Sequence, residues 1–282
     1  MGHEVEGPRL FVILARDEPV AAVVRRGPSD WSHLGRWDLA GPAYEPGAWF
    51  HGTLYPQKCD LSPDGRWFAY SALKGGATWA AGSVYEAVSR LPWLHALAAW
   101  EAGTTYTRGV HFDDTAGTCD LGRPDVGDAA PILRHHGIRL TPATQFAVER
   151  RGGWAESAWS EDRDPADGWD ERREVVMEKP RPGAGSAEEP LLLVEGSWAG
   201  HRSSPDVRAP ARYALAASDE MAWLDGVQWA DWSADGRLLV ATTAGVLEIR
   251  EVDGTESTSV WSHDVAPLTP DPVPPPDWAR QH

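Results

Sequence analysis

Apolar residues along the chain occur in short runs that are separated by turn residues. Residues 10–14 and 20–24 form the first pair of runs, and Arg16, Asp17, Glu18 and Pro19 lie between them. Runs bounded in this way are typical of β-strands joined by turns. The same pattern predicts strands at residues 67–73, 104–107, 145–150, 174–177, 191–194, 213–217, 238–243, 246–250 and 259–261. We therefore predict an all-β chain of roughly 14–18 strands, with no helix longer than about two turns.

One turn sequence occurs twice. Residues 60–66 read Asp-Leu-Ser-Pro-Asp-Gly-Arg, and residues 231–237 read Asp-Trp-Ser-Ala-Asp-Gly-Arg, 171 positions further along. Pro63 presets φ for a turn, and Gly65 supplies positive φ without a steric cost. In both copies an apolar run follows the turn, and in the first copy both of its faces are apolar. We therefore expect this strand to be covered on both sides.

This repeated segment resembles the blade signature of β-propellers of the WD40-like and TolB-like kind. The resemblance covers two segments of the chain. It implies a β-propeller, most simply with five blades (range 5–7), because blades of this kind span about 40–45 residues. We expect a single propeller domain over residues 1–265 and a Pro-rich tail over residues 266–282, which could strap across the domain through Trp278. The alternative architecture is a pair of β-sandwiches.

Three segments need a separate interpretation. Residues 79–100 combine strand-forming and helix-forming residues, and strands are favoured because Pro92 breaks a continuous helix. Residues 121–141 are rich in Gly, Pro and Asp and predict a long connection that carries His135 and His136. Residues 154–159 are predicted as a return strand after the turn at Gly152 and Gly153.

The charge balance limits the partners. The chain has 42 acidic and 26 basic residues, a formal net charge of −16, and nucleic-acid and anionic-membrane partners require a basic face. We expect neither partner, although a local basic patch is compatible with this composition. No apolar run reaches the roughly 18 residues of a membrane span, and the acidic N-terminus does not resemble a secretory signal. The expected location is cytoplasmic and the expected state is a monomer.

Metal and redox chemistry have little support in the sequence. Cys59 and Cys119 are the only cysteines, which is too few for a Cys-based zinc site, so we expect buried free thiols. The histidines are scattered without metal-ligand spacing. Neither a nucleophile elbow nor a Gly-rich phosphate loop occurs. We expect no cofactor and no metal.

Candidate binding residues are mainly tryptophans, since 16 is a high number for this length. Most are expected to fill the space between twisted sheets. Those in or beside predicted loops are candidates for a ligand platform, namely Trp31, Trp37, Trp49, Trp154, Trp159 and Trp169. His111 and Asp113 would share one face of an extended strand. They are therefore candidates for a ligand contact or an acid–base pair.

The leading hypothesis is a non-catalytic binding scaffold that recognises a protein or a small ligand. The alternative is a hydrolase or lyase that acts on a sugar-like substrate with Asp and His residues in a central pore, where two carboxylates would have to lie about 5–10 Å apart. Asp60 and Asp231 are better explained as acceptors for backbone groups at the two turns. The sequence carries no motif that selects a catalytic residue, so the enzyme question stays open with a leaning toward no.

Overall fold

A computed structural model describes residues 7–27, 30–74, 82–105, 107, 109–112, 125–142, 147–157, 172–183, 191–199, 211–218 and 220–280. The chain is mostly β-strand in several antiparallel sheets, with few and short helices. The all-β prediction is confirmed. Over the ranges described, no helix is long and apolar enough to cross a membrane.

The strands, in chain order, are β1 (Arg9–Leu14), β2 (Val20–Arg26), β3 (Trp31–Asp38), β4 (Ala43–His51), β5 (Thr53–Leu54), β6 (Asp60–Leu61), β7 (Trp67–Leu73), β8 (Val84–Arg90), β9 (Ala96–Glu101), β10 (Val110–Phe112), β11 (Leu140–Pro142), β12 (Ala155–Glu156), β13 (Arg172–Pro180), β14 (Leu191–Ala199), β15 (Arg212–Ala217), β16 (Glu220–Trp223), β17 (Val227–Trp232), β18 (Leu238–Thr242), β19 (Val246–Asp253) and β20 (Glu256–Asp264). The helices are α1 (Ala130–His135), α2 (Ala147–Arg151) and α3 (Asp277–Arg280), and short 3₁₀ turns lie at Pro56–Lys58 and Gly127–Ala129.

Four larger antiparallel sheets follow one another along the chain. Their strand orders are β1-β2-β3-β4, then β5-β7-β8-β9 with β6 beside β7, then β12 to β16 in sequence, then β17 to β20 in sequence. The two-stranded sheet β10–β11 comes between the second and the third of them in the sequence. Neighbours in sequence are thus mostly neighbours in a sheet, as short connections favour. The strand order fits the predicted blades, while the number of blades and their closure into a ring stay predictions.

The chain divides into two compact units, and the boundaries between them include one inside β1 and one inside α2. The first unit comprises the described residues up to Val12 and those from Glu149 to Leu268. The second unit comprises the described residues from Ile13 to Val148 and those from Thr269 onward. The C-terminal Pro-rich segment therefore belongs with the N-terminal half of the chain.

The strands that follow the two repeated turns are buried on both faces, as the sequence predicted for the first of them. In β7 every side chain from Trp67 to Ala72 is buried, and in β18 the same holds from Leu238 to Ala241. On one face of β7, Trp67 joins a cluster with Val88 of β8, Phe112 of β10 and Leu133 of α1. This cluster holds the short helix α1 against the second sheet.

Three predicted assignments are wrong. The first is the strand at residues 104–107, where the described residues 104, 105 and 107 form a turn and bend. Residues 145–150 were expected as a strand, but residues 147–151 form α2, because Ala147, Glu149, Arg150 and Arg151 favour a helix and Gly153 ends it at φ +90°. The expected long connection at residues 121–141 contains α1 and leads into β11. Of the predicted return strand at residues 154–159, the structure shows β12 at residues 155–156, and residues 158–159 lie outside the described ranges.

The two repeated turns have the same hydrogen bonds. Ser62 Oγ accepts the backbone N–H of Arg66 (3.1 Å), and Ser233 Oγ accepts that of Arg237 (2.9 Å). Each of these hydroxyl groups also donates to the Asp two positions later, at 2.6 Å to Asp64 and 2.5 Å to Asp235. The five residues that segments 60–66 and 231–237 share therefore encode one local structure in two sheets.

A candidate ligand-binding cavity

The candidate site lies where two β-turns of the second unit meet. The backbone N–H of Asp17, in the turn between β1 and β2, donates to the carbonyl oxygen of Pro63 in the first repeated turn (2.9 Å). Gly65 permits this approach, since a Cβ there would lie 3.3 Å from Val20 Cβ and the backbone has φ +68°. The repeated turn thus fixes one wall of a cavity against the neighbouring hairpin.

The cavity has a volume of about 220 Å³. It is partly open, and its wall contains three arginines, two acids and two tryptophans. The side chains that line it are Glu18, Val20, Arg36, Asp64, Gly65, Arg66, Trp67, Arg90, Leu91 and Trp278. In a chain with a net charge of −16, this is a local concentration of positive charge.

Two of the arginines approach the same indole ring. Trp67 of β7 lies opposite Arg90 of β8 in the antiparallel ladder, so both side chains project from one face of the sheet. The guanidinium carbon of Arg90 lies 4.9 Å from the Trp67 ring centroid, and that of Arg66 lies 5.7 Å from it. Both are within the range of a cation–π interaction. Trp67 thereby holds two guanidinium groups at the cavity.

The acidic residues of the wall only partly offset this positive charge. Asp64 Oδ1 accepts the Ser62 hydroxyl and the backbone N–H of Arg66 (3.2 Å). Its other oxygen lies 3.8 Å from Arg66 in a pair whose side chains are 62% and 47% exposed, a weak interaction at a surface. Glu18 is exposed and forms no ion pair with the three arginines.

The C-terminal segment completes the wall. Trp278 of α3 lines the cavity and is 45% exposed, while Ala279 beside it is buried. At the first turn of this helix, the backbone N–H of Ala279 donates to the carbonyl oxygen of Pro276 (3.0 Å). Arg280 Nε donates to Pro275 O (2.8 Å). Trp278 thus adds a partly exposed indole ring to the cavity wall, and its role in strapping the tail across the domain stays a prediction.

Three of the predicted binding tryptophans lie in strands rather than loops. Trp31 and Trp37 are in β3 and Trp49 is in β4. Trp37 is completely buried, whereas Trp31 and Trp49 are half-buried and meet edge to face at 6.3 Å. The Trp31 ring also stacks on His51 (4.7 Å). The structure brings Trp31 and Trp49 together, and their role in binding stays a prediction.

A buried histidine adjoins this aromatic pair. His33 is fully buried, its Nδ1 lies 3.3 Å from the Tyr44 hydroxyl, and its ring lies 4.6 Å from that of Trp49. Burial, together with the nearby Arg25 charge, lowers the pKa of His33 to about 4. His33 is therefore neutral at physiological pH and acts as a packed aromatic ring.

The remaining predicted site residues are buried or outside the described ranges. His111 in β10 is 3% exposed, and Trp154 before β12 is 6% exposed. Trp154 Nε1 donates to Asp231 Oδ2 (3.2 Å), which is a structural contact. Asp113, Trp159, Trp169 and Cys119 lie outside the described residues. The hypothesis of an acid–base pair of His111 and Asp113 stays a prediction.

The buried carboxylates of the described chain are occupied by hydrogen bonds. Asp60 accepts the backbone N–H groups of Leu61 (2.9 Å) and of Phe112 in β10 (2.8 Å), one on each oxygen. Glu86 accepts Trp100 Nε1 on one oxygen (3.0 Å) and the Thr107 hydroxyl on the other (3.2 Å). These acids therefore act as acceptors that join strands and loops, as the sequence suggested for Asp60.

Asp231 repeats the role of Asp60 and adds an ion pair. One oxygen accepts the backbone N–H of Trp232 and contacts Lys179 Nζ at 2.5 Å, and the other accepts Trp154 Nε1. Asp231 and Lys179 are each 8% exposed. Across the part of the chain that the structure describes, no group of three or more His, Cys, Asp or Glu side chains could hold a metal ion. Cys59 is a buried free thiol, as predicted, and burial raises its pKa to about 12.

The comparisons with known proteins identify no family for this chain. No family model matches the sequence, and no curated protein matches it. Solved structures that resemble it include a crystal structure of a 6-phosphogluconolactonase-like protein from Bacteroides fragilis. It is 9% identical with a TM-score of 0.38, over 94% of this chain and 97% of that chain.

Proposed function

We propose that this chain is a β-propeller of five blades that binds a small ligand and is not an enzyme. The observation that carries the binding proposal is the cavity where Arg66 and Arg90 flank the Trp67 ring. A concave site with a few converging polar groups is the usual form of a small-molecule site. The two turns and the β7–β8 ladder fix these groups on rigid backbone, which lowers the entropy cost of binding.

Two observations support the propeller. The four larger sheets are antiparallel meanders that follow one another along the chain, and we assign the two-stranded β10–β11 sheet, which comes between the second and third of them in the sequence, to a fifth blade. The Gln228 side chain of β17 forms two hydrogen bonds with the chain at β1: its Oε1 accepts the Leu10 backbone N–H (3.1 Å), and its Nε2 donates to Pro8 O (3.2 Å). In a closed ring the first and last blades are neighbours, so this contact supports the proposed closure.

The environment of the buried acids supports a binding role over a catalytic one. A general acid or nucleophile needs an oxygen that can reach the substrate. In Asp60, Glu86 and Asp231 both oxygens accept hydrogen bonds from the protein itself. The cavity wall, in contrast, carries three arginines, whose N–H groups can donate to a ligand.

A fragment screen by ligand-observed NMR tests the proposal. The test variant is Glu18→Trp, which places a bulky ring at an exposed position of the cavity wall, and the control is Glu220→Trp at an exposed position of β16. We expect fragments that bind the wild-type protein and the control but not the Glu18→Trp variant. Fragments that bind all three proteins equally, or a screen without any binder, would contradict a ligand site in this cavity.

A further inference from the structure

The charge of the ligand follows from the cavity, on the basis of the proposed function. We infer that the cavity binds a small organic anion, whose carboxylate or phosphate group contacts Arg90 and Arg66 and whose flat body lies against Trp278. The argument rests on the state of Arg90, on the pairing of the arginines around Trp67, and on the size and exposed face of the site.

Arg90 is a guanidinium without an acceptor at its inner nitrogen. Its Nε is buried and has no hydrogen-bond partner, and within the described ranges no carboxylate forms an ion pair with this side chain. A buried donor without a partner is unfavourable. The Trp67 ring face offers part of the compensation. Arg90 itself is half-buried and lines the cavity, so an anion bound there would lie beside this guanidinium group and offset its positive charge.

Arg66 adds a second positive charge beside the first. The two guanidinium carbons lie 5.7 Å and 4.9 Å from one ring centroid, so they can be no farther apart than the sum of these distances. Like charges at such a separation repel each other. An anion that contacts both guanidinium groups reduces this repulsion and accepts N–H groups in the fork geometry that suits carboxylate and phosphate.

The protein itself neutralises these arginines only in part. The Arg66–Asp64 and Arg36–Asp38 pairs are both long, at 3.8 Å, and exposed, so they contribute little. Asp64 Oδ1 already accepts the Ser62 hydroxyl within its own turn. Because the chain as a whole is strongly acidic, an anion is repelled from most of its surface and is attracted to this cavity.

The size and the exposed ring restrict the rest of the ligand. A volume of about 220 Å³ lies below the roughly 300–1,000 Å³ of sites for drug-sized ligands. The ligand is therefore a single ring or a short chain with one anionic group. Trp278, 45% exposed, presents a flat apolar face on which such a ring can stack.

Matched probes separate charge from shape. Benzoate and benzamide have the same ring and differ in charge, and phenyl phosphate tests the other head group. Isothermal titration calorimetry would compare their binding to the wild-type protein and to Arg90→Gln, Arg66→Gln and Arg237→Gln. Arg237 is the control because it occupies the position of Arg66 in the other copy of the turn, where it pairs with Asp235 at 2.8 Å.

We expect an acid probe to bind at least tenfold more tightly than benzamide, and each cavity variant to weaken it about tenfold or more. Arg237→Gln should leave the affinity unchanged. Whichever of benzoate and phenyl phosphate binds more tightly identifies the head group. Arg66 is an exposed side chain, so Arg66→Gln keeps the test decisive even if circular dichroism shows that Arg90→Gln does not fold.

Two results would overturn the inference, and they differ in what else they affect. If benzamide binds as tightly as the acids and Glu18→Trp abolishes all binding, the cavity binds ligands but does not select anions. The anion inference then fails and the proposed function stands. If neither the probes nor the screened fragments bind in the cavity, both fail.

Discussion

The guanidinium carbon of Arg90 lies 4.9 Å from the ring centroid of Trp67, directly across the β7–β8 ladder. This pair joins the core of the second unit to its surface, because one side of the Trp67 ring belongs to the cluster with Leu133 and Phe112. The cavity is therefore built on a residue that the fold itself requires. Its arginines are positioned by packing as well as by charge.

A double-mutant cycle tests the Arg90–Trp67 contact. Trp67→Leu keeps an apolar side chain and removes the aromatic face, and Arg90→Gln removes the cation. We expect the two changes to couple by about 0.5–2 kcal/mol of unfolding free energy, the range for a cation–π pair. Urea unfolding of the four proteins measures this coupling. Strictly additive effects would show that Arg90 does not interact with the ring.

In the first unit, the carboxylate of Asp231 compensates the buried positive charge of Lys179. The pair is buried, with a distance of 2.5 Å between Nζ and Oδ1. We expect Asp231→Asn to destabilise the fold by about 3–5 kcal/mol, because it leaves an uncompensated buried charge. The double variant Lys179→Met with Asp231→Asn should recover part of this loss, since the amide oxygen can still accept Trp154 Nε1. Chemical denaturation would contradict the account if the double variant were the less stable one.

Glu86 gives the stability a pH dependence. Burial raises its pKa above the ordinary value of 4.5, against hydrogen bonds from Trp100 and Thr107 that lower it. The folded state therefore holds this proton more strongly than the unfolded chain, and stability decreases as pH rises from the ordinary pKa through the raised one. Glu86→Gln removes this contribution.

Thermal unfolding of the wild-type protein and of Glu86→Gln over a pH series measures the effect. The variant should gain stability relative to the wild type over the pH range above the ordinary pKa of 4.5. A difference in melting temperature that stays constant over this range would refute the assigned shift.

Gly65 lies in the turn that supports the cavity, and Gly254, which does not line the cavity, is a matched control position. Both have positive φ, +68° and +59°, but a Cβ at Gly65 would contact Val20 and Ala15, while one at Gly254 would contact nothing. Alanine at either position should cost about 1–2 kcal/mol of unfolding free energy for the left-handed backbone. Gly65→Ala should cost more and should also weaken ligand binding. Equal losses would show that the turns are not tightly packed.

The sequence predicted the local structure well where chemistry between near neighbours determines it. The letters at 60–66 and 231–237 specify a Ser hydroxyl, an Asp and a positive-φ Gly, and both turns form as those residues require. The strand prediction for residues 145–150 rested on the apolar residues Phe146 and Val148 and was wrong. Glu149 and Arg150 favour a helix, and residues 147–151 form one.

The cavity was not predicted, since its residues are far apart in the sequence. Arg36, Arg66 and Arg90 lie on different strands or turns, and Trp278 is near the C-terminus. Only strand pairing and the packing of the C-terminal segment bring them together. The available signal was weak: an acidic chain is compatible with a local basic patch. Loop position was also a poor guide, because Trp31, Trp37 and Trp49 lie within strands.

The most direct test of the central claim is an NMR titration of protein labelled with ¹⁵N-arginine, in which benzoate is added and the side-chain Nε–Hε signals are followed. The signals of Arg90 and Arg66 should shift in a saturable manner, and the signal of Arg237 should stay in place. Unchanged signals for Arg90 and Arg66, or equal shifts for all three arginines, would contradict a ligand site in the cavity.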